Sequence, residues 1–144
     1  MSEKKILFMT ARTQLAHTFW NETGAKKAKE YGFKVDVPAW DADLTDYDWS
    51  KQLAGYDAII TTWGSPLCNA EFLKAAPKAK VVGHSAGSVV AVVDDSTFST
   101  DVKVTTSNPI MAEAVAEWSL LATMLAQRNL QSYAKLRANE SMNW

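Results

Sequence analysis

Residues 57–62, DAIITT, decide the fold, because apolar and β-branched residues follow one another there without alternating with polar ones. A short continuous run of this kind is typical of a strand buried on both faces, as in a parallel sheet. Further strands are predicted at residues 5–9 (KILFM), 33–37 (FKVDV), 80–83 and 102–106 (VKVTT). Helical patterns lie between them, at residues 13–31, 49–54, 69–76 and, after the fourth strand, 88–93 (SVVAVV).

This alternation predicts an α/β domain whose parallel sheet carries helices on both faces, joined by right-handed crossovers. Five strands favour the flavodoxin-like order 2-1-3-4-5. A long C-terminal helix follows, with Asn108 as its N-cap and Pro109 at its first position, and is expected to run to about Leu130. We therefore divide the chain into a domain at 1–108 and a helix with its tail at 109–144.

Composition excludes several functions. The 144 residues include 15 Lys and Arg against 16 Asp and Glu, so the net charge of -1 provides no field for nucleic acid or an anionic membrane. We find no run resembling a membrane span or signal peptide, and the single cysteine, Cys68, excludes an intramolecular disulfide. A cytoplasmic location is expected.

The acidic stretch at 41–48 has Asp46 and Gln52 where a calcium loop needs Gly and Glu, so no metal site is predicted.

Ligands of such sheets bind beyond the carboxyl ends of the strands, which draws attention to residues 10–13, 63–66 and 84–88. The last of these loops contains GHSAG, residues 83–87, which matches the nucleophile elbow of serine hydrolases. That motif stands between a strand and a helix, and its serine needs a histidine later in the chain. No histidine follows Ser85, since the two present are His17 and His84. A Ser85 hydrolase is kept as the alternative function, and His17 is assigned no role.

Two longer stretches resemble a known family. Residues 57–95, DAIITTWGSPLCNAEFLKAAPKAKVVGHSAGSVVAVVDD, and residues 104–130, which contain Val115-Ala116-Glu117 before a long apolar helix, resemble the D-isomer-specific 2-hydroxyacid dehydrogenases. In that family a flavodoxin-like substrate domain precedes an NAD-binding domain. The resemblance therefore implies a substrate domain that ends before the NAD-binding domain and before the family's catalytic Arg, Glu and His.

The resemblance also implies a substrate site. Backbone N–H groups of Ala86, Gly87 and Ser88 would hold the carboxylate of a small 2-hydroxy or 2-oxo acid, and consecutive N–H groups in a tight turn do form anion sites. The competing interpretation is that Gly87 merely permits the turn. The adjoining loops add Trp63, Gly64 and Arg12 as predicted contacts. Ala86 and Ser88 depart from the family's usual GxG form.

No catalytic or cofactor-binding residue is predicted in this chain. The glycines never form GxGxxG or a P-loop, so we expect a catalytically incomplete half, with NAD belonging to the family's longer proteins. The helix after Pro109 is apolar around much of its circumference, which predicts a homodimer, side by side or with exchanged helices. The helix residues expected at its interface include Val115, Trp118, Leu121 and Leu125. A self-associating module without a ligand and a monomer whose helix folds back on its own sheet stay open.

Overall fold

The computed structural model of the chain describes residues 3–10, 18–37 and 53–138. Within this part, five strands form one sheet: β1 (Lys4–Met9), β2 (Phe33–Asp36), β3 (Ala58–Thr61), β4 (Val81–His84) and β5 (Lys103–Thr106). Their order is β2-β1-β3-β4-β5, and each neighbouring pair is parallel. The predicted α/β class and the order 2-1-3-4-5 are confirmed.

The register divides the sheet into two faces. Leu7, Ile59, Val82 and Val104 lie side by side on one face, which we call the core face. The first three are fully buried and pack with side chains from the segments between the strands, among them Leu53, Cys68, Leu73, Ala76, Ala79, Val92 and Val93. The hydrophobic core of the domain therefore lies on this face.

The first described helix, α1 (Glu22–Glu30), is shorter than the helix predicted at residues 13–31. Asn21 has an extended backbone, and its side chain accepts a hydrogen bond from the Gly24 N–H at 3.0 Å, which caps α1 and interrupts the expected continuous helix. Residues 11–17, with His17, lie outside the described part. The predicted stop is confirmed, because Gly32 follows the C-cap with φ +73°, a conformation that glycine adopts without strain.

Helix α2 (Ala70–Lys74) begins as predicted, since the Asn69 side chain accepts from the Phe72 N–H at 2.8 Å. The segment after β4 differs from the prediction. Residues 85–96 form bends and turns, and a short 3-10 helix at Thr97–Ser99 follows, so the helix expected at residues 88–93 is wrong. Val92 and Val93 are instead buried in the core, so their apolar character reflects burial of a turn. The short helix predicted at 49–54 lies largely outside the described residues.

The long helix α3 (Asn108–Gln127) includes Asn108 in its first turn, where the prediction made this residue the N-cap. Asn108 is itself a donor at this end of the helix: its N–H donates a hydrogen bond to the Thr106 hydroxyl at 3.2 Å. The helix ends three residues earlier than predicted, because the chain turns at Asn129, where φ is 50°. A further helix that the sequence did not predict, α4 (Leu130–Ala138), follows this turn.

The chain divides into two compact units, residues 1–108 and 109–144. In the second unit none of the α3 side chains is buried. Over 18 residues, α3 has a mean hydropathy of 1.2 and at most two charged side chains. Its length and composition alone would therefore suffice to cross a membrane. No run resembling a membrane span was expected from the sequence, and α3 is the exception by length and composition alone, which core helices of soluble proteins and signal sequences share.

Candidate functional site

The loop after β4 is held to the end of β5 through its carbonyl groups. The Thr106 hydroxyl lies 2.8 Å from the Ala86 carbonyl oxygen and also within hydrogen-bond distance of the Gly87 carbonyl. The backbone N–H of Ser107 reaches the carbonyl oxygens of His84 at 3.1 Å and Ala86 at 3.2 Å. These bonds fix the orientation of the loop. A carbonyl that points toward β5 makes the N–H of the same peptide plane point away from β5.

The N–H groups of the same loop are differently placed. Ser85 donates to the Thr61 carbonyl at 2.9 Å, but the N–H groups of Ala86, Gly87 and Ser88 have no acceptor among the described residues. Ala86 is buried, Gly87 half-buried and Ser88 exposed, so the row runs from the core to the surface. Buried backbone donors are nearly always paired with protein or water. The buried N–H of Ala86 therefore marks this loop as a place where an acceptor fits, and the N–H groups of Gly87 and Ser88 continue the row toward solvent.

Gly87 has close surroundings but no special backbone conformation, since its φ is not in the left-handed region. A Cβ at this position would lie 3.4 Å from the Asn108 side-chain oxygen. Space beside Asn108 is therefore the constraint that the structure places on this residue.

The loop after β3 forms a tight turn anchored on β1. The Ser65 N–H donates to the Thr62 carbonyl at 3.2 Å, and Gly64 between them has φ +73°, as a glycine at the third position of a type II turn does. The Ser65 hydroxyl donates to the Met9 carbonyl at 2.7 Å and accepts from the Thr62 N–H at 2.9 Å. Trp63 remains 54% exposed.

Two of the three predicted loops thus emerge from neighbouring strands at one edge of the sheet. The bond between Ser85 and Thr61 ties the start of the β4 loop to the end of β3. The ring of Trp63 stands edge-on to Phe19, with centroids 5.0 Å apart. Arg12, the remaining predicted contact, lies outside the described residues.

The geometry around Ser85 differs from a nucleophile elbow. His84 is buried, and its Nδ1 lies 2.9 Å from the Thr61 hydroxyl oxygen. Burial lowers the pKa of this imidazole, so the neutral form is favoured. Within the described part, no hydrogen bond joins His84 to Ser85, and no helix begins directly after the motif. The strand-to-helix turn that the hydrolase alternative requires is therefore missing there.

Metal ligation finds no support in the described ranges, where no three His, Cys, Asp or Glu side chains come together. Cys68 is buried, and burial raises the pKa of its thiol to about 12. A thiol in this state is neither a nucleophile nor a ready metal ligand at neutral pH. Cys68 is therefore a core residue.

Sequence reasoning missed two features. One is Thr106, whose hydroxyl orients the β4 loop; the sequence shows a threonine two residues before Asn108-Pro109, but nothing in it marks the contact with residues 86 and 87. The other is an open groove of about 650 Å³ on the sheet face opposite the core. Its lining includes Ile6, Ala58, Ile60 and Val81. Their apolar character had predicted a covered face, so the groove was not foreseen.

The order of strands and the loops at their carboxyl ends define a flavodoxin-like α/β domain with a candidate ligand-binding edge. Searches of family models and of curated proteins find no match. Solved structures do match, among them the TT0316 protein from Thermus thermophilus, with 18% identity and a TM-score of 0.57 over 97% of this chain.

A 2-hydroxyacid dehydrogenase from Ketogulonicigenium vulgare Y25 matches with 14% identity and a TM-score of 0.60 over 96% of this chain. The pyruvate reductase of Chlamydomonas reinhardtii matches with 17% identity and a TM-score of 0.54 over 99%. The chain spans 42%, 40% and 40% of these three proteins in the order given. Similarity at such identities shows a shared α/β fold.

Proposed function

We propose that this chain is the substrate-binding half of an NAD-dependent D-2-hydroxyacid dehydrogenase and is catalytically incomplete by itself. Its ligand would be the carboxylate of a small 2-hydroxy or 2-oxo acid. The observation that carries the proposal is the row of free N–H groups at Ala86, Gly87 and Ser88 at the end of β4. The likeness in fold to a 2-hydroxyacid dehydrogenase and a pyruvate reductase supports the same reaction class.

A carboxylate suits this loop because its two oxygens accept hydrogen bonds and carry the charge that strengthens them. The Thr106 hydroxyl and the Ser107 N–H hold the carbonyls of the loop, which keeps those negative ends of the peptide dipoles directed toward β5. The N–H groups would then meet the anion without prior rearrangement. Trp63 and Gly64, on the adjoining turn, would border the rest of the small acid.

NAD does not fit the residues present. A dinucleotide site needs several glycines close together after a strand, so that the backbone can approach the pyrophosphate. In this chain the described loops after β3 and β4 contain Gly64 and Gly87 singly, and no glycine lies between β1 and Gly24. The residues present therefore do not supply a hydride-transfer step.

The proposal is tested by following backbone amide resonances while the chain is titrated with pyruvate, a small 2-oxo acid. We expect shifts at residues 86–88 and at the Trp63–Gly64 turn, with a dissociation constant in the millimolar range because half a cleft buries only part of a ligand. Pyruvamide, which lacks the carboxylate, should shift none of these amides. Pyruvate shifts confined to another face of the domain would overturn the proposal.

A pair of substitutions at the exposed end of the loop provides the matched control. Ser88→Pro removes one N–H donor, and a hydrogen bond to a charged group contributes roughly 1.5–3 kcal/mol, so pyruvate affinity should fall about tenfold or more. Ser88→Ala keeps the N–H and removes the hydroxyl, which accepts a bond from the Val90 N–H at 3.4 Å. Equal affinities of the two variants would refute a backbone site.

A further inference from the structure

The edge of the sheet at which the strands begin, which we call the amino edge, carries a row of lysines. The Asp57 N–H donates to the Lys5 carbonyl at 2.8 Å, which joins β1 to the residue before β3. The row continues through the Lys80 N–H, which donates to the Asp57 carbonyl at 2.9 Å. The Lys103 N–H donates in turn to the Lys80 carbonyl at 2.9 Å. Lys34 extends the row to β2, where it lies beside Lys5, so every strand except β3 has a lysine there.

Most of this positive charge is not neutralised by neighbouring carboxylates. Asp57 is already paired with Lys4 at 2.8 Å. Six exposed lysines at the amino edge form no ion pair with another described residue, and the unpaired carboxylates described there are Glu3 and Asp101. The six are Lys5, Lys29, Lys34, Lys78, Lys80 and Lys103. Salt screens charges over about 8 Å, so this local excess acts at the edge although the net charge of the chain is -1. The exclusion of nucleic acid from net charge therefore does not extend to this edge.

Two exposed aromatic side chains lie at the β2 end of the amino edge. Tyr31 is 69% exposed and Phe33 is 40% exposed, and their ring centroids are 6.4 Å apart. Tyr31 is the C-cap of α1 and Phe33 begins β2 beside Lys4, so both residues lie among the lysines of the edge. Clustered apolar surface that stays in water and is rimmed by polar groups is typical of an interaction site.

We propose that the amino edge binds single-stranded nucleic acid, whose phosphates meet the lysines while its bases stack on Tyr31 and Phe33. Proteins that hold single strands without sequence preference combine positive charge along the backbone with exposed aromatic rings, because every base has a flat face on which a ring can stack. Lysine suits this use, since its ammonium is a point charge on a flexible stem and does not require one phosphate geometry. The edge lies at the opposite end of the strands from residues 86–88, so this site is independent of the carboxylate site.

The arrangement favours a single strand over other anions. Five strands spaced about 4.8 Å apart make the row about 19 Å long, so a chain of several phosphates uses it and one free phosphate does not. A duplex keeps its bases stacked on one another and could not use the rings. A bilayer would need apolar side chains along the whole contact, whereas the exposed rings described at this edge lie at one end.

The lysines are tested by the fluorescence anisotropy of a labelled oligothymidylate of about 12 nucleotides, titrated with the full chain. With about four phosphates neutralised at 0.7 each, the slope of log affinity against log salt is about -2.8, so affinity should fall about 50-fold between 50 and 200 mM salt. Lys80→Gln should make this slope shallower by about 0.7. Lys80→Arg, the matched control at the same position, keeps the charge and should keep the slope.

The rings are tested in the same titration. Tyr31→Leu keeps an apolar side chain but loses the flat ring, so affinity should fall about fivefold or more, whereas Tyr31→Phe should keep it. A duplex with oligoadenylate has the higher charge density, so purely electrostatic binding would favour the duplex, and we expect tighter binding of the single strand.

Several outcomes would overturn the proposal. They are no binding of the oligothymidylate at the lower salt, an unchanged slope in Lys80→Gln, and equal affinities of the Leu and Phe variants of Tyr31. Tighter binding of the duplex, of polyglutamate of the same length or of phosphatidylserine vesicles would overturn it as well, because each would assign the edge to a different partner.

Discussion

Replacing Thr106 by Val should destabilise the domain and loosen the candidate site. The Thr106 hydroxyl has one hydrogen, which it donates to one of two carbonyls at a time, and its oxygen accepts from the Asn108 N–H. The substitution therefore removes one donated and one accepted bond without changing the shape of the side chain. At about 0.5–1.5 kcal/mol for each bond, and with Thr106 half-buried so that water replaces part of the loss, we expect about 1–2 kcal/mol.

Urea denaturation at one fixed protein concentration measures this free energy of unfolding, with the fluorescence of the six tryptophans as the signal. Thr106→Ser keeps the hydroxyl and loses a methyl group, so it should lose less stability than the Val variant. Hydrogen exchange of the Ser107 amide, which donates to the His84 and Ala86 carbonyls, should accelerate in the Val variant alone. Equal stability of wild type and Thr106→Val, or a Ser variant as unstable as the Val variant, would refute the role assigned to this hydroxyl.

We expect no NADH binding by calorimetry and no NADH-dependent reduction of pyruvate, because the chain has no glycine-rich phosphate loop; micromolar affinity would contradict this. Ser85 should not react with fluorophosphonate probes, since His84 is hydrogen-bonded to Thr61 instead; labelling that Ser85→Ala abolishes would revive the hydrolase alternative. Because burial lowers the pKa of His84, the unfolded chain binds a proton more readily, so stability present above pH ~6.5 should decline as the pH falls below that value. His84→Gln should flatten this dependence in urea titrations at several pH values, whereas His17→Gln, its control, should leave it in place.

The strands were predictable because they are defined by local composition. A run such as DAIITT has no polar side to expose, so it fits a strand covered on both faces whatever the rest of the chain does. The end of α1 at Gly32 and the start of α2 at Asn69 are local as well, since a glycine with positive φ and a side-chain cap act within one turn of the backbone. These elements matched the structure to within a residue or two.

The error at residues 88–93 arose where distant contacts outweighed local preference. The apolar run at 88–93 had predicted a helix, but Val92 and Val93 are buried by packing against residues far away in sequence, and the backbone forms turns. The Cys68 N–H donates to the Val92 carbonyl at 2.8 Å, which joins two such segments. The helical repeat of apolar residues gives no information about such a contact, because it relates only residues that are three and four positions apart in sequence.

The sequence by itself determined the class of fold, the order of the strands and the loops that follow their carboxyl ends, because hydrophobic pattern and turn chemistry are properties of short segments. Only the tertiary structure decided that Thr106 holds the carbonyls of residues 86 and 87, and that the N–H groups of residues 86–88 have no acceptor among the described residues. It alone also showed a groove of about 650 Å³ lined by Ile6, Ala58, Ile60 and Val81. Both depend on which segments come together in space, and that is set by packing across strands rather than by any single stretch of residues.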